Sequence, residues 1–242
     1  MANTVGSRYF CPVPANAEIV RLPAEEAHHF ANVLRGKIGD PIILIDGSGC
    51  EFLAIVTAIK RDKIDVQILS KSVVDRELDF KIAIAVALPK GDRQKVLVEK
   101  LTELGVQELI PLITERGVAQ PTDSAIERLM GQVIAACKQS GRTRFMNIAR
   151  PQTMAEMCRG NPVEATKFFA DITGTRMPHS IALPGSAIIA AVGPEGGFSP
   201  AEFSLFKETG WSAISLGNRI LRVETAAIAL AAILPAIKPN CD

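Results

Sequence analysis

Cysteine and histidine are scarce in this chain. Its 242 residues include five cysteines and three histidines. Cys11, Cys50, Cys137, Cys158 and Cys241 are odd in number and widely scattered, so neither a disulfide framework nor a CxxC metal site is expected. His28 and His29 are adjacent, and on a helix they would point about 100° apart. His179 stands alone in a polar stretch. No metal is therefore expected. An excess of either charge is also missing, with 27 Lys+Arg against 26 Asp+Glu. Any surface for a polyanion must then be a local patch. Long apolar runs are absent. The longest, residues 226–234, falls far short of the roughly 20 residues a membrane helix needs. The N-terminal stretch carries Arg8, Glu18 and Arg21 and no apolar run, so no signal peptide is expected. These absences point to a soluble protein of a reducing compartment, the cytoplasm, with no membrane partner. The chain also lacks GxGxxG, GxxxxGK[ST] and GxSxG. That argues against a dinucleotide-dependent oxidoreductase, a P-loop nucleotide site and a serine hydrolase.

What is present is ordinary globular composition, 48% hydrophobic and 22% charged. Residues 41–46, 50–59 and 63–70 are rich in Ile and Val and read as strands. Asp46-Gly47-Ser48-Gly49 and Lys60-Arg61-Asp62 separate them. One helix fits between residues 23 and 34, with Pro at its start and Gly36 past its end. Residues 1–74 thus read as a small β-rich domain, a barrel, and the charged stretch 71–81 as a linker. Residues 75–242 read as an α/β domain. Strands at 82–88, 106–113, 165–170, 186–192 and 211–216 alternate with helices at 92–104, 123–139, 199–209 and 223–237. Such alternation implies a parallel sheet covered by helices. The last helix is apolar over more than one face and must be buried, in the core or in a subunit interface.

Ligands of open parallel sheets bind beyond the carboxyl ends of the strands. Three loops there stand out. The first is Gly193-Pro194-Glu195-Gly196-Gly197-Phe198, which runs into Ser199-Pro200-Ala201-Glu202, a capping-box sequence. Its glycines let backbone approach a ligand closely. Glu195 would repel a phosphate, so a neutral or cationic ligand fits better. The second is Leu216-Gly217-Asn218-Arg219-Ile220-Leu221-Arg222-Val223-Glu224-Thr225. The third lies between Arg128 and Ala155. It holds Arg128, Lys138, Arg142, Arg144 and Arg150 with no carboxylate, which reads as a polyanion surface.

In this order these residues resemble the SPOUT-superfamily ribosomal RNA small subunit uracil-N3 methyltransferases, the RsmE family. The matching segments run from end to end. They are His28-His29-Phe30 with Val33-Leu34-Arg35; Lys90; Glu99-Lys100 with Thr102-Glu103-Leu104-Gly105; Glu115-Arg116; Ala135-Ala136-Cys137 with Gln139-Ser140-Gly141-Arg142; and the loops at 192–198 and 216–226. The last two are the most specific. Val223 stands where the family usually has Thr.

The resemblance implies a PUA-like barrel for RNA, then an α/β domain with a deep trefoil knot that works as a homodimer. It implies that S-adenosyl-L-methionine is held by Gly193, Pro194, Glu195, Gly196, Gly197, Leu216, Gly217, Ile220, Leu221 and Arg222. A sulfonium is a cation, which agrees with the reading of Glu195. The implied partner is 16S ribosomal RNA or the small ribosomal subunit. Arg222 is expected to stabilise charge on the uracil, and Glu224 to orient it or accept the N3 proton. Arg8, Arg35, Lys90, Arg116, Arg142 and Arg144 are expected to grip RNA phosphates. Two alternatives stay open at this point. One is a SPOUT enzyme acting on tRNA or a ribose 2′-hydroxyl, and the other is a non-catalytic RNA-binding assembly factor.

Overall fold

The structure, a computed structural model, describes residues 7–61, 63–118, 122–160, 165–176, 180–181, 187–236 and 238–239. His179, Cys241, Ser186 and Ile237 lie outside the described residues. The chain forms two compact units. One comprises residues up to Glu77 together with residues 134–145, and the other comprises residues 78–133 and those from Met146 onward.

The first unit begins with two short strands, β1 (Arg8–Phe10) and β2 (Ile19–Arg21). Helix α1 (Ala24–His28) and a single π turn (His29–Val33) follow. Three longer strands complete the set: β3 (Pro41–Ile45), β4 (Cys50–Lys60) and β5 (Lys63–Val73). They form a five-stranded sheet in the order β1-β3-β4-β5-β2. The β1–β3 pair is parallel and the rest antiparallel. The expected period of two is visible in β4, where Cys50, Phe52, Ala54 and Val56 are buried and alternate with more exposed neighbours. They meet Tyr9, Leu44, Ile64, Val66, Ala27 and Phe30 in one core. Each large side chain buried there stabilises the unit by roughly 1.5–3 kcal/mol. The expected helix over 23–34 forms in two pieces. Arg35 turns the chain with φ +54, and the Phe30 ring lies where Gly36 would carry a Cβ, 2.1 Å from its Cζ. Only glycine fits under that ring.

The stretch expected as a linker holds much of this unit's ionic structure. Arg76 donates to Glu51 Oε1 at 3.0 Å, which Arg8 also reaches at 3.2 Å. Arg76 also donates to the Gly141 carbonyl. Residues 134–145 are tied in by their backbone and side chains. The Gly49 amide donates to the Thr143 carbonyl at 3.2 Å. Thr143 Oγ1 donates to the Val74 carbonyl at 2.7 Å. Lys138 donates to buried Glu26 at 2.6 Å, and Phe145 packs on Phe10 with ring centroids 5.7 Å apart.

The second unit continues with β6 (Lys81–Val86), α2 (Arg93–Glu103), β7 (Glu108–Ile113) and α3 (Asp123–Ser140), whose second half lies in the first unit. Then come β8 (Asn147–Ile148), β9 (Gln152–Thr153), α4 (Met154–Gly160), β10 (Thr166–Arg176), β11 (Ser180–Ile181) and β12 (Ala187–Val192). The last elements are α5 (Pro200–Glu208), β13 (Ser212–Ser215), α6 (Val223–Ile233) and β14 (Lys238–Pro239). β11 and β14 form a separate two-stranded ladder. The main sheet runs β13-β10-β12-β6-β7-β8, with β9 also on β7. Its pairs are all parallel. As expected of a doubly covered sheet, Ile82, Ile84, Ala85 and Val86 are fully buried.

Aromatics make up only 5% of the chain, yet five of them gather on one side of this sheet. Phe169 and Phe206 stack with centroids 4.3 Å apart, and Phe198, Phe203 and Trp211 close around them. α6 packs on α2, β6 and β12, with Ala227, Leu230 and Ala231 fully buried. One face of the helix therefore belongs to the core of this unit, where its alanines permit close approach, while Ile233 on it is exposed.

Candidate active site

The carboxyl ends of β12 and β13, and the middle of β10 where its pairing register shifts, open on one cleft of about 220 Å³. Val192, Gly193, Pro194, Glu195, Gly197 and Phe198 line it from the turn after β12. Leu216, Gly217, Arg219, Ile220 and Leu221 line it from the turn after β13, with Val223 and Ala226 of α6 behind them. Ala170, Asp171 and Ile172 of β10 form the third wall. Two turns about 20 residues apart in sequence thus share one concavity.

Local chemistry explains how the first turn is held. Ser199 caps α5 and Glu202 closes the box, its Oε2 accepting from the Ser199 amide at 2.7 Å. Glu202 Oε1 also accepts from the Glu115 amide at 2.9 Å. The capping residue therefore fastens the loop after β7 to the start of α5. Next to it, Arg116 donates to the Gly196 carbonyl at 2.8 Å. In the second turn, Gly217 has φ +111, and a Cβ there would point into open space within 4 Å. A side chain would be strained there, in a residue that lines the cleft.

Not all the expected residues line the cleft. Gly196 is close by but turns its carbonyl to Arg116. Arg222 caps α6 with extended backbone, and its side chain is exposed beside the cleft-lining Leu221. Glu224 is buried, and its ion pair is with Arg93 at 3.7 Å rather than with Arg222. Lys90 and Arg116 are exposed in this unit. In the first unit Arg35 and Arg144 are exposed, whereas the Arg8 side chain is largely covered on Glu51. Arg142 departs furthest from expectation. It is buried, and Glu77 takes it bidentately at 2.9 and 2.6 Å. A guanidinium committed in this way does not face solvent, so the carboxylate-free run overstated the basic surface.

Sequence reasoning missed Asp171, which lines the cleft with its Oδ1 accepting from the Thr173 amide at 2.8 Å. The strand-end rule pointed to it, since it follows the expected strand 165–170. It also missed Arg93, for which no local signal exists because both of its partners are about 100 residues or more away in sequence. Among the described residues no cluster of His, Cys, Asp and Glu could hold a metal. No described helix is long and apolar enough to cross a membrane.

The cleft combines two carboxylates and one arginine, Arg219, with apolar walls and glycine turns. Those features suit a molecule that has a cationic centre and a flat apolar part. Residues 76–235 match the RNA methyltransferase domain family, and residues 22–69 the RNA methyltransferase PUA domain. A ribosomal RNA small subunit methyltransferase E from Synechocystis sp. is 32% identical, over 88% of this chain and 72% of its own. The crystal structure of a ribosomal RNA small subunit methyltransferase E from Neisseria gonorrhoeae, bound to S-adenosyl methionine, superposes with a TM-score of 0.87. It has 32% identity and covers 95% of this chain and 96% of that one. A methyltransferase from Legionella pneumophila with bound SAM gives a TM-score of 0.87 and 30% identity, covering 96% of this chain and 97% of that one. A parallel α/β domain joined to a PUA domain, with a cleft at its strand ends, defines an RNA methyltransferase. Within that class, the chain belongs to the ribosomal RNA small subunit methyltransferase E family.

Proposed function

We infer that the chain transfers a methyl group from S-adenosyl-L-methionine to N3 of a specific uridine in the 16S RNA of the small ribosomal subunit. The observation that carries this reading is the single cleft formed by the turns at 193–197 and 216–221. The cofactor supplies a methyl group activated on a positively charged sulfur. Glu195 and Asp171 favour that charge, while Val192, Leu216, Leu221 and Val223 give its nucleoside an apolar bed. Gly193, Pro194, Gly197, Gly217 and Ile220 hold it by backbone and shape, with Gly196 and Arg222 supporting the two turns from outside. Val223 in place of threonine makes this contact purely apolar, and at 3% exposure it adds no hydroxyl to the site.

The uracil N3 carries a proton and is paired in a helix, so the base must be unpaired or flipped to be reached. Alignment of N3 with the methyl carbon supplies much of the rate. As N3 loses its proton, negative charge builds on the uracil oxygens. Arg222, exposed at the lip, stabilises that charge. Removing such a group costs about 10²–10³ in rate. Glu224, buried two residues on and paired with Arg93 instead of Arg222, receives the proton. Lys90 and Arg116 in the second unit, and Arg35 and Arg144 in the first, bind RNA phosphates, whereas Arg8 is held by Glu51. We place the enzyme in the cytoplasm as a homodimer, with the trefoil knot in the segment that carries both cleft turns.

The test is incubation with methyl-labelled cofactor and small subunits that lack the modification, then digestion and identification of the labelled nucleoside. N3-methyluridine at one 16S position is the expected result. Label in a ribose or in tRNA alone, or none at all, would overturn the reading.

A further inference from the structure

We infer that Arg93 is a positioning residue for the cofactor cleft, locking the turn at 193–197 to the first turn of α6. The inference rests on the cofactor reading above. Arg93 Nη1 donates to Glu195 Oε1 at 3.1 Å and lies 3.7 Å from Glu224 Oε2. One guanidinium thereby joins three elements: the start of α2, the turn after β12 and the start of α6.

Three observations make this more than a surface ion pair. First, Arg93 opens α2, whose first turn has no acidic residue. A cation at a helix N-terminus is electrostatically disfavoured, so its placement is explained by its two partners and not by the helix. Second, Glu224 is buried, and its Oε2 accepts no hydrogen bond among the described residues. Arg93 supplies the positive charge beside it, and a buried carboxylate stripped of its counterion is strongly disfavoured. Third, Glu195 lines the cleft with a side chain 45% exposed. The ion pair with Arg93 holds this open carboxylate. Arg93 itself is absent from the cleft lining and acts on the ligand through Glu195.

The test titrates S-adenosylmethionine and its product S-adenosylhomocysteine into the full-length protein by calorimetry, with thermal unfolding in parallel. Arg93→Met should weaken S-adenosylmethionine about tenfold, the size of effect a coupled contact carries, and S-adenosylhomocysteine, whose sulfur is uncharged, by less. Turnover at saturating cofactor should fall by a smaller factor than the affinity does. Arg93→Lys, which cannot span both carboxylates, should fall between. Adding Glu195→Gln to Arg93→Met should cost no further affinity, because the two act through one contact. Adding Glu224→Gln to Arg93→Met should recover melting temperature but not affinity. Wild-type affinity in Arg93→Met would overturn the inference, as would full recovery of affinity by Glu224→Gln, which would reduce Arg93 to a general stabiliser. A wild-type protein that binds neither ligand would instead overturn the cofactor reading beneath it.

Discussion

Residues 139–144 and 216–222 look alike as sequence. Each turn has one glycine and two arginines and adjoins a helix end. In the folded chain they differ in what fills them. At Gly141 the guanidinium of Arg8 comes within 3.3 Å of where a Cβ would stand, and Arg142 is only 5% exposed. At Gly217 there is nothing within 4 Å, and Ile220 is 91% exposed at the cleft. The first turn is occupied by the protein's own side chains and serves structure. The second leaves its concavity open and can serve a ligand. Charge and glycine content cannot tell the two apart, because the difference lies in partners such as Glu77 that are distant in sequence.

The comparison can be broken at several points. The largest expected effect is from Glu77→Ala, which leaves buried Arg142 without its bidentate carboxylate. Unfolding in urea should show a loss of about 3–5 kcal/mol, while methyl transfer per folded molecule stays intact. Next is Arg222→Ala, where turnover should drop about 10²–10³-fold, or roughly 2.7–4 kcal/mol of barrier, with cofactor binding retained. Turnover near wild type would remove Arg222 from the chemistry. Smaller still is the effect of the exposed arginines on RNA. Arg144→Ala and Arg35→Ala should each reduce the slope of log affinity against log salt by about one unit. Arg142→Ala should leave that slope unchanged and lower stability instead. The reverse pattern would restore Arg142 as a phosphate contact.

A pH-dependent effect concerns the closed interior of the first unit. Burial pushes the thiols of Cys11 and Cys137 up from 9.0 to about 11. Below pH 9 both are protonated whether the chain is folded or not. Between pH 9 and 11 the unfolded chain releases these protons while the folded chain keeps them, so stability should fall as pH rises through that window. The expected loss is on the order of 1 kcal/mol per thiol and unit of pH. Urea midpoints measured from pH 8 to 10.5 check it, and Cys137→Ala should flatten the decline.

Much of this was legible in the sequence, for identifiable reasons. The alternation in residues 50–59 and the apolar run 82–88 encode β4 and β6 directly. The box at Ser199 and Glu202 fixes where α5 starts and so where the preceding turn must end. β1 and β2 were missed because three residues each cannot display a period. α4 was missed because seven residues give barely two turns. β10 runs past its expected end because Gly174 allows β13 to approach, with a Cβ there only 2.6 Å from the Ile214 amide nitrogen. The candidate site was legible where its residues are neighbours in sequence, as at 193–197 and 216–222. It was illegible where tertiary pairing decides, as for Arg93, Arg142 and Glu224.

The most direct test of the open-turn account is a calorimetric titration of S-adenosylmethionine into the wild type and a Gly217→Val variant. The account predicts one site per chain in the wild type. In the variant, where a β-branched side chain is forced on a cleft-lining residue at φ +111, it predicts affinity reduced at least tenfold, about 1.4 kcal/mol. Equal binding by both proteins would contradict it.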